Sequence, residues 1–199
     1  MRDETRVLLV RHGQSEWNAS GRWQGQADPP LTELGRLQAL EAARAVGAVD
    51  AIWSSDLQRA AETAIIIGDQ IGVGPVVADD DLRERDAGEW TGLTRTQIDE
   101  RDPGFLAEGK RPPRWESDGD LLIRASAALA RIAESAPGSD VLVVTHAGVV
   151  FAVERQLGVE HTRLANTEGR WVSVAGAELR LGDRVVLAEP DDVTVPGQI

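Results

Sequence analysis

Val7-Leu8-Leu9-Val10-Arg11-His12-Gly13 decides how this chain is read. Four β-forming apolar residues stand in a row with no polar residue between them. A strand with one wet face would alternate, so this run predicts a strand covered on both faces. Polarity changes abruptly at Arg11-His12-Gly13. In open α/β sheets the chemistry lies beyond the carboxyl ends of the strands, and a cation, an imidazole and a glycine stand at that end here.

The pattern recurs further along the chain. Val141 to Val144 is a second buried run and ends at Thr145-His146. Ala51-Ile52-Trp53 and Val76-Val77-Ala78 predict two shorter strands. Thr32 is a good N-cap, and Leu34, Leu37, Leu40 and Ala43 follow it at helical spacing up to Gly47. Ser54-Ser55-Asp56 offers capping side chains for a helix running to about Ile71. Thr94 to Gln97 has capping-box spacing. Further helices are predicted over Asp120–Ser135 and Ala147–Leu157, and loops over 21–30 and 103–120. Gly182-Asp183, between Ala177–Leu181 and Arg184–Leu187, carries the signal of a two-residue hairpin. The acidic, proline-containing tail from Pro190 is expected to be loose. Strands alternating with helices predict an α/β fold, a three-layer α/β/α sandwich with a mostly parallel sheet. The hairpin would add antiparallel C-terminal edge strands. With no repeat and no linker, residues 1–199 are expected to form one domain.

Composition narrows the partners. The 199 residues carry a formal net charge of −12, which repels phosphodiester backbones and anionic lipid. Nucleic acid and membrane are therefore not expected as partners, and an anionic substrate would need a local island of positive charge. The chain has no cysteine, which excludes disulfides, thiolate metal sites and cysteine nucleophiles. The short, acid-flanked start does not resemble a signal peptide, and no segment approaches the length of a membrane-spanning helix. A cytoplasmic location is expected.

Two of the three histidines, His12 and His146, follow the two buried strands. If those strands are central and parallel, both imidazoles point into one crevice. Paired histidines serve zinc, a Ser-His-Asp hydrolase, or phosphoryl transfer to histidine. The chain lacks H-x-x-x-H spacing, and Arg11 would repel a dication beside His12. No G-x-S-x-G elbow is present. Phosphoryl transfer wants a neutral imidazole nitrogen and cations around the equatorial oxygens, a task that suits the planar fork of arginine. Arg59, in the first turns of a helix after the second strand, offers a second guanidinium. Asp79, Asp80, Asp81, Glu84, Asp86 and Glu89 form an acidic stretch within which composition does not choose a catalytic group.

These residues carry a resemblance. Leu9-Val10-Arg11-His12-Gly13-Gln14-Ser15-Glu16-Trp17-Asn18 resembles the signature of the histidine phosphatase superfamily, the phosphoglycerate mutase-like group. Ser54 to Ala60 with Glu62-Thr63-Ala64 is similar to its second motif. Leu82-Arg83-Glu84 with Gly88-Glu89-Trp90-Thr91-Gly92 resembles the third, and Val143 to Val149 the fourth. Four motifs in order, across Val7 to Val150, are a specific signal. The resemblance implies that His12 attacks phosphorus and that Arg11, Arg59 and a protonated His146 hold the phosphoryl oxygens. It makes Glu84 the general acid and then the general base. It implies Asn18, Gln24, Gly25 and Ala147 as substrate contacts, with Trp23, Trp90 and Trp115 either shaping the leaving-group side or packing in the core. It implies no metal and no organic cofactor, and it admits a homodimer. His161 lies outside the motifs and has no assigned role.

Within the superfamily, mutases carry a longer, more basic stretch between the acid and the second histidine. Here residues 94–141 hold only Lys110, Arg111 and Arg114 as a basic cluster, which favours a phosphatase of small-molecule phosphate esters. Arg22–Gln26 and Leu93–Asp99 resemble the phosphatases of glucosyl-3-phosphoglycerate. The alternatives are a cofactor-dependent phosphoglycerate mutase and a catalytically silent binder of a phosphorylated ligand. The full set of His12, Arg11, Arg59, Glu84 and His146 speaks against the silent binder, because binding needs no acid.

Overall fold

The computed structural model describes residues 4–160, 163–176 and 178–189. Met1 to Asp3, His161 and the tail from Pro190 lie outside the described residues. The strands are β1 (Thr5–Arg11), β2 (Ala51–Ser54), β3 (Val77–Ala78), β4 (Asp140–Thr145), β5 (Glu168–Ala175) and β6 (Glu178–Val186). The helices are α1 (Glu16–Ala19), α2 (Glu33–Ala45), α3 (Gln58–Ile71), α4 (Arg95–Arg101), α5 (Asp118–Ser135) and α6 (Ala147–Gln156).

The six strands form one sheet in the order β3-β2-β4-β1-β5-β6. The pairs among β3, β2, β4 and β1 are parallel, while β5 and β6 run antiparallel at the other side. This is the α/β architecture expected from the strand and helix pattern. Leu8 and Val10 face the core formed with α2 and α3, and Val7 and Leu9 face the core formed with α5 and α6. All four are essentially inaccessible to solvent, which is why the run is apolar throughout. Burying each such side chain stabilises the fold by about 1.5–3 kcal/mol.

The sheet order settles the placement of the histidines. β1 and β4 are neighbours in register, with Arg11 opposite Thr145. The residues that follow them, His12 and His146, therefore emerge side by side.

Two local expectations are corrected. Ser54-Ser55-Asp56 does not cap α3: the N-cap is Leu57, without a side-chain bond. The first helical N–H, that of Gln58, is instead accepted by Asp28 Oδ1 at 2.8 Å, from a loop 30 residues earlier. The hairpin turn is also not at Gly182-Asp183, which lies inside β6. The register slips there, with Arg170 opposite Arg184 but Val172 opposite Leu181, so the pair forms a bulge. A side chain at 182 would press a Cβ to 2.9 Å from that of Trp171. The turn falls between Ala175 and Glu178, where Gly176 takes a φ of 61°. The glycine-aspartate signal marked a close approach between strands rather than a reversal.

Candidate active site

The site forms where the carboxyl ends of β1 and β4 meet the start of α3 and the loop at residues 79–90. His12 is buried and its Nδ1 lies 2.6 Å from the carbonyl oxygen of Gly13. A carbonyl only accepts, so Nδ1 carries the hydrogen and Nε2 keeps its lone pair. Arg59 Nε donates to that Nε2 at 3.2 Å. The Arg59 guanidinium, wholly buried, also donates to the carbonyls of Ala27 (2.7 Å) and Gly25 (3.0 Å). Arg11, one residue before the nucleophile candidate, is held by the Leu164 carbonyl at 2.5 Å. Burial pushes both guanidiniums down to about 10, so both remain cations at neutral pH.

His146 caps α6 and is fully buried. Its ring stands edge-on to that of His12 at 5.1 Å between centroids. Neither of its nitrogens has a hydrogen-bond partner among the described residues. Buried polar atoms are ordinarily paired, so this ring is an exception that the fold retains beside His12. Burial, then Arg59, holds both imidazoles well below the ordinary histidine range. Burial first, and then the arginines nearby, favour the neutral form of His146 in the protein alone, where the resemblance implied a cation. A phosphoryl dianion in the crevice would act in the opposite sense.

Glu84 enters from the loop. Its Oε2 accepts the Gly148 N–H at 3.2 Å and its Oε1 the Arg85 N–H at 2.6 Å. Gly148 makes room for it: a Cβ there would lie 2.0 Å from Glu84 Oε1. Arg124 of α5 gathers the loop by donating to the carbonyls of Asp81, Arg83 and Glu84. Thr145 Oγ1 adds a bond to the Leu82 carbonyl at 2.7 Å. None of the rival carboxylates, Asp79, Asp80, Asp81, Asp86 or Glu89, lines the cavity; Asp79 and Asp81 instead pair with Arg131.

Arg11, His12, Asn18, Gln24, Gly25, Arg59, Glu84 and Ala147 line one narrow cavity of about 40 Å³. His146 is not part of the lining; its ring contacts that of His12 at the edge of the site. Trp23 and Trp115 also line it, whereas Trp90 is wholly buried. The three indoles pack mutually at 5.6–5.8 Å, so the core and wall readings meet in one cluster.

Sequence reading missed Asn166. Its Nδ2 donates to the His12 carbonyl at 2.8 Å and lies 3.4 Å from Asn18 Oδ1, tying two site residues to the segment before β5. No local pattern marks it, since its partners lie about 150 residues away. Arg85 was missed as well; it stands beside Glu84 and lines the cavity. Among the described residues there is no cluster of three or more His, Cys, Asp or Glu that could hold a metal ion.

An imidazole, two buried guanidiniums and a carboxyl that line one cavity are the parts that phosphoryl transfer to histidine calls for. Comparison with known proteins agrees. Residues 7–188 match the histidine phosphatase superfamily (branch 1), and the chain belongs to that family, whose members work through a phosphohistidine. It is 38% identical over 167 residues to glucosyl-3-phosphoglycerate phosphatase of Mycobacterium tuberculosis, covering 76% of this chain and 74% of that one. It is also 38% identical over 159 residues to the metal-independent phosphoserine phosphatase of Arabidopsis thaliana, covering 75% and 67%. The structure of a mycobacterial glucosyl-3-phosphoglycerate phosphatase with VO3 superposes with a TM-score of 0.80 at 32% identity, covering 88% of this chain and 96% of that one.

Proposed function

We propose that this chain is a phosphatase of small-molecule phosphate monoesters that works through a phosphohistidine on His12. One observation carries the reading: the lone pair of His12 Nε2 lies within reach of Arg59, and Glu84 lines the same narrow cavity. In the first step Nε2 attacks phosphorus, the ester P–O bond breaks, and protonated Glu84 gives its proton to the departing oxygen. In the second, Glu84 takes a proton from water, the oxygen attacks phosphorus, and the P–N bond breaks. Arg11 and Arg59 hold the equatorial oxygens, where losing one donor typically costs about 10²–10³ in rate, and the family resemblance adds His146 to them. Asn18, Gln24, Gly25 and Ala147 complete the phosphate contacts. Two guanidiniums in the site disfavour a dication, so the reading needs no metal.

The relatives named above make glucosyl-3-phosphoglycerate the first substrate to try. The basic cluster Lys110, Arg111 and Arg114, which stands where a mutase carries a longer basic stretch, does not line the phosphoryl cavity, and this favours hydrolysis over mutase exchange. The reading takes residues 1–199 as one domain acting in the cytoplasm on small molecules, with nucleic acid and membrane as no part of its work. Sedimentation would decide between monomer and homodimer.

The test is release of p-nitrophenol from p-nitrophenyl phosphate with a chelator present. Hydrolysis that disappears in His12→Ala, and that vanadate inhibits competitively as a transition-state mimic, is the expected result. Activity surviving in His12→Ala, or exchange between phosphoglycerate isomers outpacing hydrolysis, would overturn the reading.

A further inference from the structure

We propose that Glu154, Arg184 and Glu168 are positioning residues that aim the Arg11 guanidinium into the phosphoryl cavity through a single peptide plane. The proposal rests on the phosphatase reading for what Arg11 does there, but not for its test.

Arg11 lines the cavity, and among the described residues its guanidinium donates to one protein acceptor, the Leu164 carbonyl at 2.5 Å. That carbonyl belongs to the peptide unit joining Leu164 to Ala165. The N–H of the same unit donates to Glu168 Oε2 at 2.8 Å. A peptide unit is planar and stiff, so a carboxylate that holds its N–H also sets the direction of its carbonyl. An N–H bonded to a charged oxygen polarises the unit as well and strengthens the carbonyl as an acceptor. The Thr167 N–H adds a backbone contact, donating to the Arg11 carbonyl at 2.9 Å. Thr167 is wholly buried with a φ of 58°, a conformation that strains a β-branched residue. Such strain persists only where the surroundings over-determine it.

The surroundings are ionic. Arg184 Nη1 donates to Glu168 Oε1 at 2.9 Å and to the Arg163 carbonyl at 3.0 Å, which grips residues 163–168 at both ends. The same guanidinium is fixed on Glu154, with Nη2 to Oε2 at 3.0 Å and Nε to Oε1 at 3.1 Å. Arg170 Nε also donates to that Oε1, at 2.7 Å. Glu154 has no exposure to solvent and is the one charged residue in the buried run 147–154 of α6. Taking a carboxylate out of water is costly, and apolar side chains of similar volume typically stabilise a fold as well or better. What they lack is direction, because a two-point hold fixes an angle as well as a distance. The buried charge therefore serves geometry, and the geometry it leads to is that of Arg11.

The experiment measures binding of inorganic phosphate by calorimetry, so no turnover is needed. Arg184→Met breaks the relay while leaving Glu154 with Arg170 and Glu168 with the Ala165 N–H. Changing Glu154, Arg170 and Arg184 to Met together removes the buried charges as a set, so it is expected to leave Tm undiminished. Both variants are expected to weaken phosphate about tenfold. Each is then placed in an Arg11→Met background. There the relay has nothing to aim, and the further loss shrinks to less than about twofold. Lost positive charge or general loosening would weaken phosphate equally in both backgrounds. An unchanged Kd in the triple variant, or a loss of the same size without Arg11, would overturn the proposal. A loss that depends on Arg11, in a protein that hydrolyses no ester, would sink the phosphatase reading and leave the relay standing.

Discussion

Glu84 has two backbone N–H donors and one missing side chain to thank for its position. The Gly148 and Arg85 amides hold its oxygens, and the absent Cβ of Gly148 leaves the space that Oε1 fills. In Gly148→Ala the methyl would fall 2.0 Å from that oxygen, and the flexible carboxylate rather than the helix would give way. Misplacing a catalytic group by about 1 Å can cost about 10²-fold. The expected outcome is a fall in kcat of about that size with no fall in Tm, since alanine favours a helix over glycine by about 1 kcal/mol. Steady-state kinetics beside thermal unfolding checks it; a lower Tm with unchanged kcat would mean that the glycine serves packing alone.

At the scale of elements, α3 delivers Arg59 to His12 and borrows its cap from elsewhere. Asp28 belongs to the loop whose neighbours Gly25 and Ala27 accept from the Arg59 guanidinium. One contact thus fixes the helix start and the loop together. Asp28→Ala is expected to lower stability by about 1 kcal/mol, the usual worth of an N-cap. It should also raise KM, because Arg59 loses its frame. Asp28→Asn keeps a capping oxygen and should recover most of both losses. Urea unfolding with parallel kinetics distinguishes them, and equal losses in the two variants would assign the effect to charge instead of capping.

Across the whole molecule, the site sets a dependence of stability on pH. The imidazoles of His12 and His146 lie well below the ordinary histidine value of about 6.5 in the folded protein, because of burial and nearby arginines. Below pH 6.5 the unfolded chain binds protons there that the folded one does not. Stability is therefore fully present above about pH 6.5 and declines as the pH falls below it. The slope reaches at most about 1.4 kcal/mol per pH unit for each ring. Thermal unfolding between pH 7.5 and 5.5 should show the decline, and His146→Asn should reduce its slope by about half. A flat profile across that window would contradict the neutral, buried pair. Saturating inorganic phosphate should raise Tm, since it binds the folded state alone.

An imidazole at the carboxyl end of a buried strand was legible before any fold was built, in an apolar run ending at Arg11-His12-Gly13. So were the parallel sheet, the C-terminal antiparallel strands, the Thr32 and Thr94 caps, and the family. These depend on neighbours in sequence, where hydrophobic period and capping chemistry act over a few residues. Other features were decided only by tertiary structure. Asp28 caps a helix 30 residues away, Asn166 supports His12 from 154 residues away, and Arg124 gathers a loop 40 residues behind it. The bulge at Gly182 answers to Trp171 across the strand pair. The shift of His146 depends on burial, and then on arginines that only the packed sheet brings near it. Short-range patterns are written along the chain, whereas hydrogen-bond partners and electric fields are set by which segments the sheet order places side by side.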